Sequence, residues 1–442
     1  MADTAKGRGA ARVVRPNRAQ LSWDLIDPED WLPGDHPARL VWAFVETLEL
    51  TGLYDAVRAR EGEPGRPAAD PAVLLALWLL AVIDGVGSAR ELDRLTRHNL
   101  AYRWLANGVP VNYHGLADFR VAHAEVLDAL LTRSLAALMA EGLVTPEEII
   151  VDGTKIKASA GRSSFKRAGK LDASIAAAKE RVATLKAEVD ADPGASIKRR
   201  EAARARAARD VEARAAKAKA KLAEIEQERG KRAKSSPKEM ATKKEPSASL
   251  TDPDARRMRF ADGAICAAYN VQFAVTSAEG FIVALEATDR RNDSGLARPM
   301  LEAAERRLGA PVQRLLVDSS YACTQDIEAL ETRQDAPVTV FAPPPKEKED
   351  VKPETLARRL RKRAKEAAAV KAWRTRMTTA EAGNVMQRRG RIELTNAHAK
   401  NRGLGAMLVR GLRKVQAVVV LHALAHNLMT AWRLRTLKAA AA

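Results

Sequence analysis

The chain has 442 residues, of which 46% are hydrophobic and 29% charged, a balance that excludes a wholly disordered polypeptide and suggests two or three domains. Lys and Arg number 74 against 56 Asp and Glu, a formal charge of +18, so a polyanion is the favoured partner. The densest apolar run, Val73 to Ile83, spans eleven residues, short of the roughly 20 that a membrane-spanning helix needs.

No apolar stretch opens the sequence, so no secretory signal is expected. Two cysteines, Cys266 and Cys323, are too few for a disulfide framework or a cysteine-only metal site, and a reducing cytoplasm is the expected compartment. The charge is unevenly placed. Residues 161–250 hold 24 basic and 13 acidic side chains, and residues 346–376 hold 12 and 5. These segments carry the whole excess, leaving 38 of each sign elsewhere. The pattern describes two basic insertions on a neutral scaffold.

In chain order, residues 1–34 begin as a flexible basic arm. Residues 35–145 read as a helical DNA-binding or assembly domain. Asp70-Pro71 opens one helix, and Ser88-Ala-Arg-Glu91 is a capping box that opens another. Phe119 to Leu138 has apolar positions at helical spacing. Residues 146–160 and 251–345 read as one α/β unit. Its strands are Glu148 to Asp152, Ala268 to Val275, Phe281 to Ala287, Arg314 to Asp318 and Val338 to Ala342, with helices from Asp293 to Leu308 and Thr324 to Arg333. That order indicates a mixed sheet.

The first insertion, 161–250, has apolar residues at coiled-coil spacing: Leu171, Ile175, Ala178, Val182, Leu185 and Val189, then Val211, Ala215, Ala218, Leu222 and Ile225. The breaker Asp190-Ala-Asp-Pro-Gly194 between them predicts an antiparallel helical hairpin. Its tail, Lys231 to Ser249, is polar and reads as disordered. The second insertion, 346–378, reads as a basic helical stretch. Residues 379–442 read as helices with an apolar stripe through Leu404, Leu408, Val415, Val419 and Leu428.

Two apolar strands end in aspartate, Ile149-Ile-Val-Asp152-Gly and Leu315-Leu-Val-Asp318-Ser. A carboxylate at a buried strand end is costly unless paired or bound to a metal. Were the two strands neighbours, both would emerge at one sheet edge and suit Mg²⁺. The simpler reading of either one is a turn or N-cap aspartate. A third carboxylate, Glu393, falls at helical spacing with Met386, Arg389 and Lys400, which places all four on one helix face. Such a stripe serves a metal and phosphate oxygens, or it is an ordinary Arg–Glu surface pair. In-line attack on a phosphodiester is the chemistry that carboxylates holding two metal ions perform. Asn270 and Gln272, beside Tyr269, are candidates to orient metal-bound waters or DNA, or else they finish a strand. His422 and His426 lack the glutamate of a zinc-protease motif, and no phosphate-binding glycine loop with a Walker lysine appears, so no nucleotide cofactor is expected.

The sequence resembles the DDE transposases of bacterial insertion sequences, in the branch with an N-terminal helical domain. The resemblance rests on an ordered set: Gly65-Arg-Pro67, Ser88-Ala-Arg-Glu-Leu92, Asp118-Phe-Arg120, Val151-Asp152-Gly-Thr-Lys-Ile-Lys-Ala158, Asp252-Pro-Asp-Ala-Arg256, Tyr269-Asn-Val-Gln272, Val317-Asp318-Ser-Ser-Tyr321, Arg410-Gly-Leu-Arg-Lys-Val415 and Ala425-His-Asn-Leu428. It covers about residues 35–430. The family's third-acid signature is matched by Arg389, Glu393 and Lys400, with Met386 where the family has Tyr. The resemblance implies an RNase H-like core with Asp152, Asp318 and Glu393 as catalytic Mg²⁺ ligands, two ions in all, with Mn²⁺ as a substitute. It implies Arg389 and Lys400, and with them Asn270, Gln272 and Tyr321, as DNA-binding residues. The expected partners are double-stranded DNA, as terminal inverted repeats and target, and a second copy in a homodimer on that DNA. No membrane partner is expected, and the place of action is the cytoplasm, at the nucleoid. The competing expectations are a decayed or domesticated DNA-binding protein without catalysis, and a simple Mg²⁺ nuclease of the same fold.

Overall fold

The computed structural model describes residues 27–59, 67–191, 198–235, 245–345 and 353–441. Most of the expected N-terminal arm, the Pro-Gly turn of the hairpin, residues 236–244 of its polar tail and the start of the second insertion lie outside the described residues.

Seven helices open the fold: α1 (Pro37–Glu46), α2 (Thr51–Asp55), α3 (Pro71–Ile83), α4 (Ala89–His98), α5 (Leu100–Ala106), α6 (Tyr113–Ala122) and α7 (Ala124–Ala140). Their starts follow from local chemistry. Asp70 caps α3 by accepting from the Ala72 amide with Pro71 in the first turn, and Ser88 caps α4 by accepting from the Glu91 amide. The stretch read as one helical pattern from Phe119 to Leu138 is two helices, because the chain leaves helical geometry at His123. Helix α3 is apolar on every side and buried from Pro71 to Ala81, as a helix enclosed by others must be.

The sheet is built from β1 (Glu148–Lys157), β4 (Arg256–Arg259), β5 (Ile265–Thr276), β6 (Ile282–Thr288), β7 (Arg314–Leu316) and β8 (Thr339–Phe341), while β2 (Phe165–Lys166) and β3 (Ala248–Ser249) pair separately at the root of the hairpin. The order is β4-β5-β1-β7-β8, with β6 also on β5. β5 runs antiparallel to β1, and β7 and β8 run parallel to β1 and to each other. The mixed sheet is as expected. The short strands β2, β3 and β4 went unread, since two to four residues carry no periodicity. The sheet's helices are α10 (Ala297–Leu308), which starts later than Asp293, and α11 (Thr324–Glu331).

The hairpin consists of α8 (Ala168–Ala191) and α9 (Lys198–Ser235). Leu171, Ala178, Ala215, Ala218, Leu222 and Ile225 are buried between them, so the heptad spacing is realised as a two-helix arm. The positions Leu185 and Val189 have side chains outside the described set. The polar tail departs from expectation at both ends: Lys231 to Ser235 continue α9, and Ala248-Ser249 pair with Phe165-Lys166. Lys217–Asp254 and Lys221–Asp289 ion pairs, both 2.8 Å, tie the arm to the sheet.

The second insertion divides in two. Helix α12 (Pro353–Ala364) is basic and largely exposed, whereas α13 (Ala368–Arg376) packs on the sheet. Trp373 is fully buried and donates to the Ala342 carbonyl at 3.1 Å, and Arg376 bonds Glu331. Val370 and Trp373 thus anchor the end of this basic stretch to the core. Helices α14 (Ala380–Gln387), α15 (Gly390–Ala399) and α16 (Leu412–Ala441) complete the chain. Val415, Val419, Leu404 and Leu428 are buried as the stripe predicts, but Leu408 is exposed because it sits in the non-helical link between α15 and α16. Helix α16 packs on α3, α6, α7 and β6, so the helical bundle and the sheet share one apolar core. By length and composition α16 is apolar enough to cross a membrane, and 78% of its most apolar window is buried inside the fold.

One glycine on β1 is required by close approach. Gly153 lies opposite Gln272, and a Cβ there would stand 2.2 Å from Gln272 Nε2, 2.6 Å from Asp293 Oδ1 and 2.9 Å from Asn270 Oδ1. Gly153→Ala forces that polar cluster apart. The expected cost is about 1–3 kcal/mol, the usual range for overpacking, read as a lower urea midpoint at unchanged slope. An unchanged midpoint would mean that the cluster yields freely.

Candidate functional site

The condition set by the sequence is met: β1 and β7 are neighbours. They are parallel with Ile150 opposite Leu316, and two residues beyond each partner stand Asp152 and Asp318. Asp318 follows the end of β7, whereas Asp152 is not the strand end that was expected: β1 runs on to Lys157 and Asp152 pairs with Phe273 of β5, so its carboxylate stands in the field of Asp318 where β7 stops. Asp318 also caps the short turn Ser319–Tyr321, accepting from the Ser320 amide at 2.6 Å. The turn reading of that residue is realised.

Asp152 is mostly buried, its side chain 18% exposed. Asn396 Nδ2 donates to its Oδ2 at 3.0 Å. Arg389 Nη2 stands 3.9 Å from its Oδ1, an electrostatic contact too long for a hydrogen bond. Burial pushes the Asp152 carboxyl up to about 6; Arg389 opposes that rise, and the carboxylates of Asp318 and Asp293 add to it. Three carboxylates thus share one field.

Asp293 was not singled out in the sequence, where it reads only as the start of a helix. The helix begins four residues later, and Asp293 is held in the loop before it. Its Oδ1 accepts from Asn270 Nδ2 at 2.7 Å and from Gln272 Nε2 at 2.8 Å, and its Oδ2 accepts from Ser320 Oγ at 3.2 Å. Tyr321 donates its hydroxyl to Gln272 Oε1. Burial, with the Asp293, Asp152 and Asp318 charges, pushes the Tyr321 phenol far up, so it stays a donor. Asn270, Gln272 and Tyr321, expected as DNA-binding residues, are buried in this network. Their exposures are 1%, 0% and 1%, so they present no surface to DNA; they fix Asp293 beneath the site.

The third-acid stripe is interrupted. Met386 belongs to α14 and a turn at Arg388 and Arg389 intervenes, while Lys400 continues α15 directly into a widened helical turn, Lys400–Leu404. Gly390, a poor helix former, stands at the break. On α15 the flank facing the site carries Arg389, Glu393 and Asn396. Its first and last members both reach Asp152, and Glu393 lies between them. Glu393 and Lys400 are exposed, and among the described residues Glu393 has no ion pair. Met386 is half-buried against the core.

Among the described residues no three His, Cys, Asp or Glu side chains converge closely enough to hold a metal ion. The donor chemistry nonetheless suits a hard divalent cation at two of the expected ligands. Asp152 and Asp318 offer carboxylate oxygens in mutual repulsion, and Asn396 Oδ1 is buried without a partner beside them. Glu393 shares only the flank. Asn396 and Asp293 were missed because Asn has no charge pattern and Asp293 has no strand before it. His422 and His426 are buried on α16 and Cys266 and Cys323 are free thiols, consistent with non-catalytic roles for all four.

A family model of the transposase DDE domain matches residues 238–428, and one of a transposase domain, DUF772, matches residues 26–122. The first interval contains Asp293, Asp318, Arg389, Glu393 and Lys400, while Asp152 lies between the two. No curated protein and no solved structure matches the chain. The α/β core with a carboxylate pair where β7 stops, the helical N-terminal region and two transposase domains in sequence lead to one assignment: the chain belongs to the DDE transposases of insertion sequences, with an RNase H-like core.

Proposed function

We propose that this transposase binds the terminal inverted repeats of its element, cleaves the ends and joins the freed 3′-hydroxyls to target DNA. The observation that supports this reading is the parallel β1–β7 pair with Asp152 and Asp318 just past its last paired residues, beneath a helix flank bearing Arg389, Glu393 and Asn396. In this reading Asp152, Asp318 and Glu393 are the ligands of Mg²⁺. When bound, the metal neutralises the leaving oxygen and activates the attacking hydroxyl. Asn396 orients Asp152 through its Nδ2, and Arg389 offsets part of the carboxylate charge. Lys400, exposed at the end of α15, meets a phosphate as a point charge. Two element ends need two such sites, which makes a homodimer on DNA the smallest working assembly. The alternative, a DNA-binding protein without catalysis, draws on the exposed position of Glu393 and on Met386.

Asp152→Asn separates the two readings. End cleavage by the purified protein should vanish while affinity for end DNA stays within about twofold, since the change removes one carboxylate and no cation. Cleavage by the variant at the wild-type rate would overturn the ligand role.

The same variant has a pH signature. The Asp152 carboxyl binds its proton more tightly in the folded than in the unfolded chain, so its ionised form weakens the fold. That penalty is absent below 3.8 and complete above about 6. Asp152→Asn should therefore raise the melting temperature at pH 7 to 8, with up to about 3 kcal/mol of gain at 1.36 per pKa unit, and the gain should disappear toward pH 4. Mg²⁺ should raise the melting temperature of the wild type more than that of the variant. A gain independent of pH would contradict the repulsion.

Lys400→Ala should lower strand transfer by at least tenfold with an unchanged melting curve, and Arg389→Ala should lower it further. Early unfolding with normal activity per folded molecule would make the flank structural. Replacing Lys179, Arg181, Arg204 and Arg209 of the hairpin together by Gln should flatten the salt dependence of DNA binding, by about 0.9 in log–log slope for each phosphate that is no longer neutralised. An unchanged slope would assign the hairpin to another task.

A further inference from the structure

The flank of α15 turned away from Asp152 carries a second set of cations. Arg391 and His398 lie roughly 180–200° round the helix from Arg389, at about 100° per residue. Together with Arg402, beyond α15, and with His426, Trp432 and Arg433 of α16, they line a cavity of about 200 Å³ closed by the β5–β6 turn. Arg391 is spanned to the turn by a 3.0 Å bond from its Nη2 to the Ala278 carbonyl. His426 meets the Gly280 carbonyl through Nε2 at 2.9 Å, and its Nδ1 is buried without a partner.

Arg402 is the informative member. It is half-buried, and among the described residues it makes no hydrogen bond or ion pair. Burial lowers its pKa, and its charge in turn lowers those of His398 and His426. A guanidinium held half out of water with no counter-ion is costly. Its placement is built in. Arg402 has non-helical geometry in a widened turn, followed by Gly403 at φ +91°, where a Cβ would stand 3.1 Å from the Gly85 carbonyl oxygen. Gly85, at φ +75°, approaches the Asn401 carbonyl oxygen equally closely, at 3.2 Å for a Cβ. Two glycines from distant helices thus lock the turn that presents an unpaired cation. The rim also carries one carboxylate, Glu279, whose Oε1 is taken by Thr145 Oγ1 at 2.6 Å.

We propose that this cavity binds a backbone phosphate of the DNA on which the transposase acts, at a subsite separate from the acidic pair. It rests on the DNA-directed reading above. A helix is about 10–12 Å across, so a strand whose reacting phosphate lies at Asp152 can reach the far flank within about three or four nucleotides, at about 3.4 Å rise each. Arg402 and Arg433 make the charge-assisted contacts, and Arg391 holds the β5–β6 turn as the opposite wall. The widened turn between α15 and α16 therefore sets the path of the DNA.

The test is equilibrium binding of the full-length protein to duplexes from the DNA flanking its reading frame, over a series of salt concentrations and without divalent metal. Arg402→Gln, Arg433→Gln and the double variant are compared with wild type and with Asp152→Asn. The expected result is a log–log salt slope shallower by about 0.9, the share of one neutralised phosphate, in the double variant and in exposed Arg433→Gln. Arg402→Lys should retain most of the wild-type slope, and Asp152→Asn should leave it unchanged. Inorganic phosphate should raise the melting temperature of wild type and not of the double variant. Slopes equal to wild type in folded Arg433→Gln and double variants overturn the proposal. A phosphate-dependent melting shift with unchanged DNA slopes also overturns it, and would assign the cavity to a free anion. A wild type that binds none of these duplexes refutes the DNA-directed reading itself.

Discussion

The arrangement of the site depends on β1 being hydrogen-bonded along both edges, antiparallel to β5 on one side and parallel to β7 on the other. An interior strand cannot slide without exchanging the faces of all its side chains. Ile149 to Val151 are fully buried, which pins the register, and the pinned register sets Asp152 opposite Phe273 of β5, just past the last residue paired with β7. The parallel partner then fixes where Asp318 emerges. That placement raises the cost of ionising Asp152, which is buried and stands in the field of Asp318 and Asp293. The fold tolerates the repulsion because the rest of the sheet over-determines it.

Around that pair of carboxylates the polar groups fall into two tiers. Asp293 is held by Asn270, Gln272 and Ser320, with Tyr321 behind Gln272. A buried network of this kind is rigid when satisfied and costly when broken, and Gly153 leaves it the space it occupies. Above it, Asn396 and Arg389 bring the flank of α15 to Asp152. Within the lower tier Asn270, Gln272 and Tyr321 are fully buried, so their work is positioning, while Lys400 and many of the hairpin cations stand exposed.

Charge is distributed by the same logic. The basic excess lies in two insertions, yet the end of the second one, α13, spends its cations on ion pairs with Glu331 and Glu366 and buries Trp373. Net charge in a segment is therefore a guide to DNA contact only where the side chains stay exposed, as along much of the hairpin. The cation-lined cavity behind α15 is the reverse case. It lies outside both basic insertions and gathers cations from separate elements, so no local count reveals it.

Several features were legible in the sequence by itself. The capped helices at Asp70 and Ser88, the heptad hairpin and the apolar strands leading to Asp152 and Asp318 all rest on interactions within a few residues or on a simple period, although the first strand runs on past Asp152 to Lys157. The ordered motifs pointed to the family for the same reason. Tertiary structure alone decided the rest. Whether the strands of Asp152 and Asp318 are neighbours is a matter of sheet order, which strand composition does not encode. That Asn270, Gln272 and Tyr321 are buried, that Asp293 and Asn396 join the site, and that Arg402 is left without a counter-ion all depend on contacts between segments more than twenty residues apart. The stripe from Met386 to Lys400 is divided between two helices, α14 ending at Gln387 and α15 starting at Gly390, a poor helix former. Local spacing determines what a segment can form, and the placement of a polar group is set by which distant segment excludes water from it.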